Sequence, residues 1–305
     1  MPAITHGTVT LEKYVDKFTA ELDGVVTQGT CTADLNMNQD LLGKFSGAGT
    51  IEVAKITMDG LADHRRGSGF VAGKSSLEWE PLKLEFDRDR EFTVSADDDE
   101  ETASVLSANL MNEFARTKVV PEIDAVRFAR IYEFLGNGQK AAATITTASD
   151  AVAAVQTAEA YLEDLGIELS GCIFYTSATF KNLLRNAQNW QGSWGTNPNT
   201  GITEYDGMKL VTPARTVFKT AVKLLDGTTS GEEAGGFTAA EGAKDFNFLI
   251  IDPRAVGAIA KHQELRYFAP NVNQKGKDHL WQYHLYHDLL SYDNKKAMIY
   301  GHTKA

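Results

Sequence analysis

His279, His284, His287 and Asp288 fall within ten positions near the C-terminus and are the side chains of this sequence best suited to hold a metal ion. Imidazole and carboxylate donors of this kind bind zinc, and a zinc-bound water attacks esters and amides. A metal-dependent hydrolase using His284, His287 and Asp288 is therefore one expectation. The spacing argues against it. "HLWQYHLYHDLL" alternates as a strand, with Trp281, Tyr283, Leu285 and Leu289 on one parity and Gln282, His284, Tyr286 and Asp288 on the other. His284 then faces away from His279 and His287, and three ligands from one strand do not converge.

Other chemistry is thin. The run Asp97, Asp98, Asp99, Glu100 and Glu101 lacks the alternating ligands and the glycine turn of a calcium loop. "GSGFVAG" at 67–73 is not G-x-G-x-x-G and opens no helix, and neither G-x-x-x-x-G-K-[ST], H-E-x-x-H nor G-x-S-x-G occurs. No enzyme activity and no cofactor are expected. Cys31 and Cys172, with no Cys-x-x-Cys spacing, read as small buried apolar residues in a reducing compartment.

With 305 residues and 43% apolar content, the chain can bury a sizeable core and divide into more than one lobe. Its 41 acids against 30 lysines and arginines give a formal charge of -11, which disfavours a nucleic-acid-binding surface over the whole molecule. "MPAITHGTVTLEKY" has no apolar run behind a basic flank, and no stretch reaches about 18 apolar residues. Neither a signal peptide nor a membrane span is expected, and the cytosol is the default compartment.

The elements that must position any site begin with an amphipathic helix, since Leu11, Tyr14, Val15, Phe18 and Leu22 recur at spacings of three and four before Gly24. Its apolar face needs a partner, either on the same chain or on another subunit. From Gly49 the pattern turns to strand. A phase switch between Ile51/Val53 and Ile56/Met58 suggests a bulge. "PLKLEFDRDREFTV" alternates, with Leu82, Leu84, Phe86, Phe92 and Val94 on one parity. The intervening glycine-rich segment reads as the floppy tip of a long hairpin, further from the body than a free hairpin sustains. The cover for Leu82, Leu84 and Phe86 is therefore expected from a neighbour.

The five acids sit where a long helix begins, as an N-terminal macrodipole favours. Ala103, Leu106, Leu110 and Phe114 form one stripe, and Ile123, Val126 and Ile131 a second after Pro121. The proline is expected to push Val120 out of helical geometry, giving a kinked rod or two abutting helices from about residue 98 to 135, roughly 55 Å long. An α/β lobe follows. It starts with a helix carrying Val152, Val155, Ala158, Leu162 and Leu165, closed by Gly166. Buried strands "CIFYTS" and "FNFLIIDP" and a surface insertion at 226–245 come next, then "AVGAIAKHQELRYFAP", which reads as either helix or strand. A turn at Asn294 and Lys295 closes a final hairpin with "AMIYGH".

This order of parts resembles tailed-phage major capsid proteins of the Hong Kong 97 type over nearly the whole chain. The residues that carry the likeness are "KITMDGLADHRRGSGF" at 55–70, "LEWEPLKLEFDRDREFTVSADDDEE" at 77–101, "EFARTKVVPEIDAVRFARI" at 113–131 and the last hairpin. The resemblance implies an α+β fold with an N-terminal arm (1–48), an extended β-hairpin loop (49–96), and a peripheral domain with a spine helix (97–147). An axial α/β domain (148–264) and the rest of the peripheral domain with its closing hairpin (265–305) complete it. It implies self-assembly into pentamers and hexamers of an icosahedral head enclosing double-stranded DNA without sequence-specific binding. The compartment it implies is the virion, assembled in the host bacterial cytoplasm. Portal and decoration proteins are implied partners, with a separate scaffolding protein or none. An encapsulin-type bacterial compartment shares the fold and stands as the alternative.

Assembly contacts are expected at Leu11, Tyr14 and Phe18 of the arm, at Arg65, Arg66, Leu82, Leu84 and Phe86 of the loop, and at Asp97, Asp98, Asp99, Glu100 and Glu101. The founding member's loop lysine has no counterpart at this tip, which offers Arg65 and Arg66 with Lys74 only at its edge, so covalent crosslinking is not expected. Changing Asp97, Asp98 and Asp99 together to Asn should weaken association between subunits more at low salt than at high salt, because exposed charge pairs are screened beyond about 8 to 10 Å. Equal assembly of variant and parent by light scattering at both salt concentrations would reduce the acids to a helix cap.

Overall fold

The protein is described from a computed structural model, in which residues 26, 29–37, 45–46, 50–64, 70–95, 105–187, 196–197, 201–291, 293 and 295–305 are described. The arm residues Leu11, Tyr14 and Phe18, the tip residues Arg65 and Arg66, the acids Asp97 to Glu101 and the turn residue Asn294 lie outside them.

The first strands are β1 (Phe45–Ser46), β2 (Thr50–Met58), β3 (Ser75–Lys83) and β4 (Phe86–Val94). β1, β2 and β3 form one sheet, and the β2–β3 register runs unbroken from Thr50 opposite Lys83 to Met58 opposite Ser75. The expected bulge is therefore absent. The alternating run that looked like one strand is two. β3 ends at Lys83, and β4 leaves the hairpin to join a second sheet. β4 keeps its alternation, with Phe86, Arg88, Arg90, Phe92 and Val94 facing inward.

The spine is a single helix. It comprises α1 (Val105–Phe114), a π-helical turn (Ala115–Val119) and α2 (Val120–Phe134). Val120 is helical, with φ -56° and ψ -51°, which corrects the expected break. Pro121 has no N–H to donate and its ring crowds the carbonyl four residues back. The chain meets that demand by widening the preceding turn, so that the Val120 N–H reaches the Ala115 carbonyl five residues back. The helix then continues, about 45 Å in all at 1.5 Å per residue.

Next come β5 (Lys140–Ala142), α3 (Ala148–Asp164), β6 (Ile173–Thr176) and α4 (Ala178–Arg185). Thr147 and Ser177 cap the two helices by accepting from Asp150 N at 3.2 Å and Phe180 N at 3.3 Å. Gly166, at φ +74°, stops α3 as the sequence suggested, whereas Leu165 is about half exposed and leaves the apolar face. The short strands β7 (Thr196–Asn197), β8 (Gly201–Ile202) and β9 (Glu204–Tyr205) precede β10 (Met208–Val211), β11 (Val222–Leu224) and β12 (Phe237–Ala239). Last are β13 (Phe246–Ile251), β14 (Val256–Phe268), β15 (His279–Ser291) and β16 (Ile299–Thr303).

A six-stranded mixed sheet runs β5-β16-β13-β6-β10-β9, and a three-stranded antiparallel sheet runs β14-β15-β4. The expected closing hairpin does not form. β15 stays with β14 and β4, while β16 crosses to pair with β13 and β5. β6 and β13 are buried along their whole length because helices cover one face and the spine covers the other. On one face Val155, Ala158 and Leu162 of α3 and Phe180 of α4 meet Phe174 and Phe248. On the other, Phe128 of α2 packs edge-on to Tyr175 at 5.2 Å and to Phe218 at 4.9 Å. The first half of the spine covers the three-stranded sheet instead, where Met111, Ala115, Val119 and Ile123 meet Trp281, Tyr283 and Leu285.

Polar groups on α2 fasten the rest. Asp124 accepts from Thr32 Oγ1 at 2.6 Å and Cys31 N at 3.1 Å, and Arg127 donates to Thr32 O at 3.0 Å and Asn36 Oδ1 at 2.9 Å, which holds the base of the arm. Arg130 donates to both Asp288 oxygens at 3.1 Å and pairs with Glu85 and Glu133. The Asp288 side chain is fully buried, and without Arg130 its charge would have only backbone donors. Arg130→Leu is expected to cost about 3 kcal/mol or more in denaturant unfolding, because a buried charge loses its partner. Adding Asp288→Asn should recover most of that loss, and simple additivity of the two changes would show the pair is not coupled.

Candidate functional site

The metal candidates are not brought together. His284 Nε2 lies 2.5 Å from Asp87 Oδ1, His279 Nδ1 lies 2.6 Å from the Tyr267 hydroxyl, and Asp288 is committed to Arg130. His287 is buried on the inner face beside Phe86, at 6.0 Å between rings, and neither of its ring nitrogens has a partner. Among the described residues no three His, Cys, Asp or Glu side chains are grouped to hold a metal. The hydrolase expectation therefore has no site in this arrangement. Burial pushes the Cys172 thiol up to about 11 and Cys31 higher still, so neither forms a ready thiolate. Desolvation, with Asp206 and Glu163 nearby, also raises Glu159 to about 7.

The feature that stands out is apolar surface. Six of the eight large apolar side chains that stand exposed among the described residues lie on the β2–β3 hairpin or its connecting loop: Met58, Leu61, Phe70, Val71, Leu77 and Trp79. Leu61 and Phe70 are essentially fully exposed, at 108% and 96%. The hairpin has local order of its own, since Lys74 N donates to Asp59 Oδ2 at 2.7 Å, Asp59 N donates to Lys74 O at 3.0 Å, and the Thr57 and Ser76 hydroxyls meet at 2.6 Å. It carries no core to bury the six. Such a surface on a chain that folds alone marks a contact with another molecule.

The sequence placed this surface one strand too late. Leu84 is buried at 1% against Ile259, with Met37, Tyr286 and Leu290 around it. Phe86 lies under the Arg130 guanidinium, 5.0 Å from its ring centre. Leu84 is covered within the chain and Phe86 partly so, because the strand breaks at Leu84 and Glu85 and β4 docks on β15. Leu82 lies in β3, and its side chain is outside the described residues.

Beside the spine a groove of about 730 Å³ opens between β4, the π-turn and the loop joining β11 to β12. Phe92, Phe114 and Tyr283 floor it in edge-on pairs at 4.8 and 5.8 Å, and Arg88, Arg90 and Lys118 line it with charge. Sequence reading passed over Arg88 and Arg90. Their signal was present, as two arginines on the parity of β4 that otherwise carries Phe86, Phe92 and Val94.

No family model matches the sequence, and no curated protein matches it. Solved structures do. The chain is similar to the capsid structure of Cyanophage P-SCSP1u, with TM-score 0.59 and 12% identity over 86% of this chain and 85% of that one. It is similar to the capsid structure of Staphylococcus phage Andhra, with TM-score 0.54 and 14% identity over 89% and 83%. A structure from Mycobacterium phage Che8 matches with TM-score 0.56 and 14% identity over 90% of both chains. The chain has the Hong Kong 97-type capsid fold. In that fold the spine is the continuous α1–α2 helix, and the hairpin that projects its apolar side chains is built by β2 and β3.

The unpartnered His287 gives the fold a pH dependence. Burial, with the charges of Arg127 and Arg88, lowers its pKa from 6.5 to about 3. The unfolded chain therefore takes up a proton that the folded chain refuses between those values. Stability is unaffected above pH 6.5 and falls as the pH drops toward 3, by about 1.4 kcal/mol per unit at most from this group. His287→Leu is expected to flatten the melting temperature between pH 6 and 4 relative to the parent. Parallel curves for the two proteins would mean the imidazole titrates freely.

Proposed function

We propose that this chain is a phage major capsid protein, a structural subunit that self-assembles through pentamers and hexamers into an icosahedral shell around double-stranded DNA. The observation that carries the reading is the β2–β3 hairpin with six exposed apolar side chains, set on a Hong Kong 97-type capsid fold. A neighbouring copy is the surface that covers it. Contacts of this kind are heterologous, so each subunit presents a hairpin and receives one, and many weak contacts sum around a closed ring.

The arm residues Leu11, Tyr14 and Phe18, the tip residues Arg65 and Arg66 and the acids Asp97 to Glu101 are proposed to join the same network. The net charge of -11 suits a container wall that does not hold its nucleic acid. Assembly takes place in the host cytoplasm in this reading, with portal, decoration and scaffolding proteins as partners of the growing shell.

Leu61→Ser, Phe70→Ser and Val71→Ser combined are expected to abolish closed particles in electron micrographs of the concentrated protein. Unfolding of the unassembled subunit should shift by no more than about 0.5 kcal/mol per site, as for exposed positions generally. Intact shells at parental yield would remove the hairpin from the assembly contact.

A further inference from the structure

Arg88 and Arg90 end on backbone oxygens of one short segment. Arg88 Nε donates to Glu122 Oε1 of the spine at 2.7 Å, while its Nη2 donates to Leu225 O at 2.9 Å and Gly236 O at 3.2 Å. Arg90 Nη2 donates to Glu233 O at 3.1 Å. The accepting carbonyls bracket residues 225–236, a tongue that joins β11 to β12. Its root is anchored through Val222 and Phe237, which pack against the core shared by α2 and the six-stranded sheet.

The tongue is preformed. The Asp226 carboxylate accepts from Thr228 N and Thr229 N at 2.8 Å and from Thr229 Oγ1 at 2.6 Å, and those bonds hold it ionised well below the usual carboxylate range. It is also shaped for the arginines. Gly227 and Gly235 have φ of +74° and +64°, and a Cβ at Gly227 would stand 2.9 Å from Arg90 Nη1. Guanidinium donors and glycine backbone thus agree on one docked position.

We propose that Arg88 and Arg90 form a latch that fixes the tongue, which joins the separate strand pair β11–β12 packed on the core of the six-stranded sheet, to β4 of the three-stranded sheet, and so sets the angle between the two parts of the subunit. This rests on the reading of the chain as a shell subunit. Arg88 is a positioning residue: its fork serves a carboxylate on the spine and two carbonyls on the tongue at once, which a lysine ammonium does not do. A ring of heterologous contacts closes only when the rotation from one subunit to the next is held. An error in that angle repeats at every subunit.

The test is Arg88→Lys, alone and with Arg90→Lys, since lysine keeps the charge beside Glu122 but releases the carbonyls. In the unassembled protein, amide exchange in residues 225–236 is expected to quicken about tenfold while the six-stranded sheet is unchanged, as loss of charge-assisted bonds to a surface segment allows. In electron micrographs, particles of one diameter should give way to mixed diameters or open sheets. Unchanged exchange in the tongue would overturn the latch. A loosened tongue with shells of parental diameter would overturn the angle-setting role. If the parent protein itself forms no shells, the shell reading and the angle-setting role fall together, and the exchange measurement decides the latch by itself.

Discussion

Everything else in this subunit depends on one helix remaining continuous through Pro121. Met111, Ala115, Val119 and Ile123 all face the three-stranded sheet, a spacing of four residues at each step. In an unbroken α-helix of 3.6 residues per turn that spacing drifts around the axis. The π-turn, with its wider circumference, keeps the four in line and absorbs the donor that proline lacks. Beyond it, α2 resumes in a phase that turns Phe128 and Ile131 toward the six-stranded sheet. A single spine therefore serves two sheets, and a break at Val120 would separate them.

The polar side of α2 uses that continuity. Glu122, Asp124, Arg127 and Arg130 bind, in turn, β4, the base of the arm, the arm again, and the junction of Glu85 with Asp288. Buried or half-buried ion pairs such as Glu122 with Arg88 and Arg130 with Asp288, and the charged hydrogen bonds of Asp124 and Arg127, add little net stability compared with apolar packing, but each strongly disfavours a displaced partner. Their effect is on placement. Close approach says the same: a Cβ on Gly257 would lie 3.0 Å from the Met37 sulfur, so the arm base runs directly over β14. The segments fastened to α2 are the roots of the arm, the hairpin and the tongue. Rigid roots let a projecting segment present its apolar side chains at a fixed place.

Much of this was legible in the sequence, and the failures have physical causes. The alternation of β4 and β15, the buried runs of β6 and β13 and the stop at Gly166 are local patterns, and local patterns survive folding. The break at Leu84 and Glu85 was hidden because both strands share one parity, so periodicity alone cannot show where a strand changes partner. β16 looked like the return of a hairpin because a short apolar run carries no information about which sheet receives it. β14 was ambiguous between helix and strand until its pairing with β15 decided it. Asp288 sits on the polar parity of β15 yet is buried at 1%, since Arg130, 158 residues away in sequence, supplies the countercharge.

The placement of the apolar surface also separates what folding buries from what the proposed assembly would cover. The strongly packed cores enclose Phe128, Tyr175, Phe218 and Phe248 with almost no exposure, whereas Phe70 and Trp79 of the hairpin stay outside. The side chains left outside are concentrated on a hairpin whose strands pair with each other from Thr50 opposite Lys83 to Met58 opposite Ser75. An exposed strand with unpaired backbone would recruit any other chain by edge pairing. Apolar side chains on a hairpin add the need for a surface of matching shape, and in the proposed shell each such contact is weak alone. In the proposed ring, closure supplies the affinity that one contact lacks. By this division, folding takes the aromatic groups of the cores, and the proposed assembly is left with the apolar side chains of the hairpin, Phe70 and Trp79 among them.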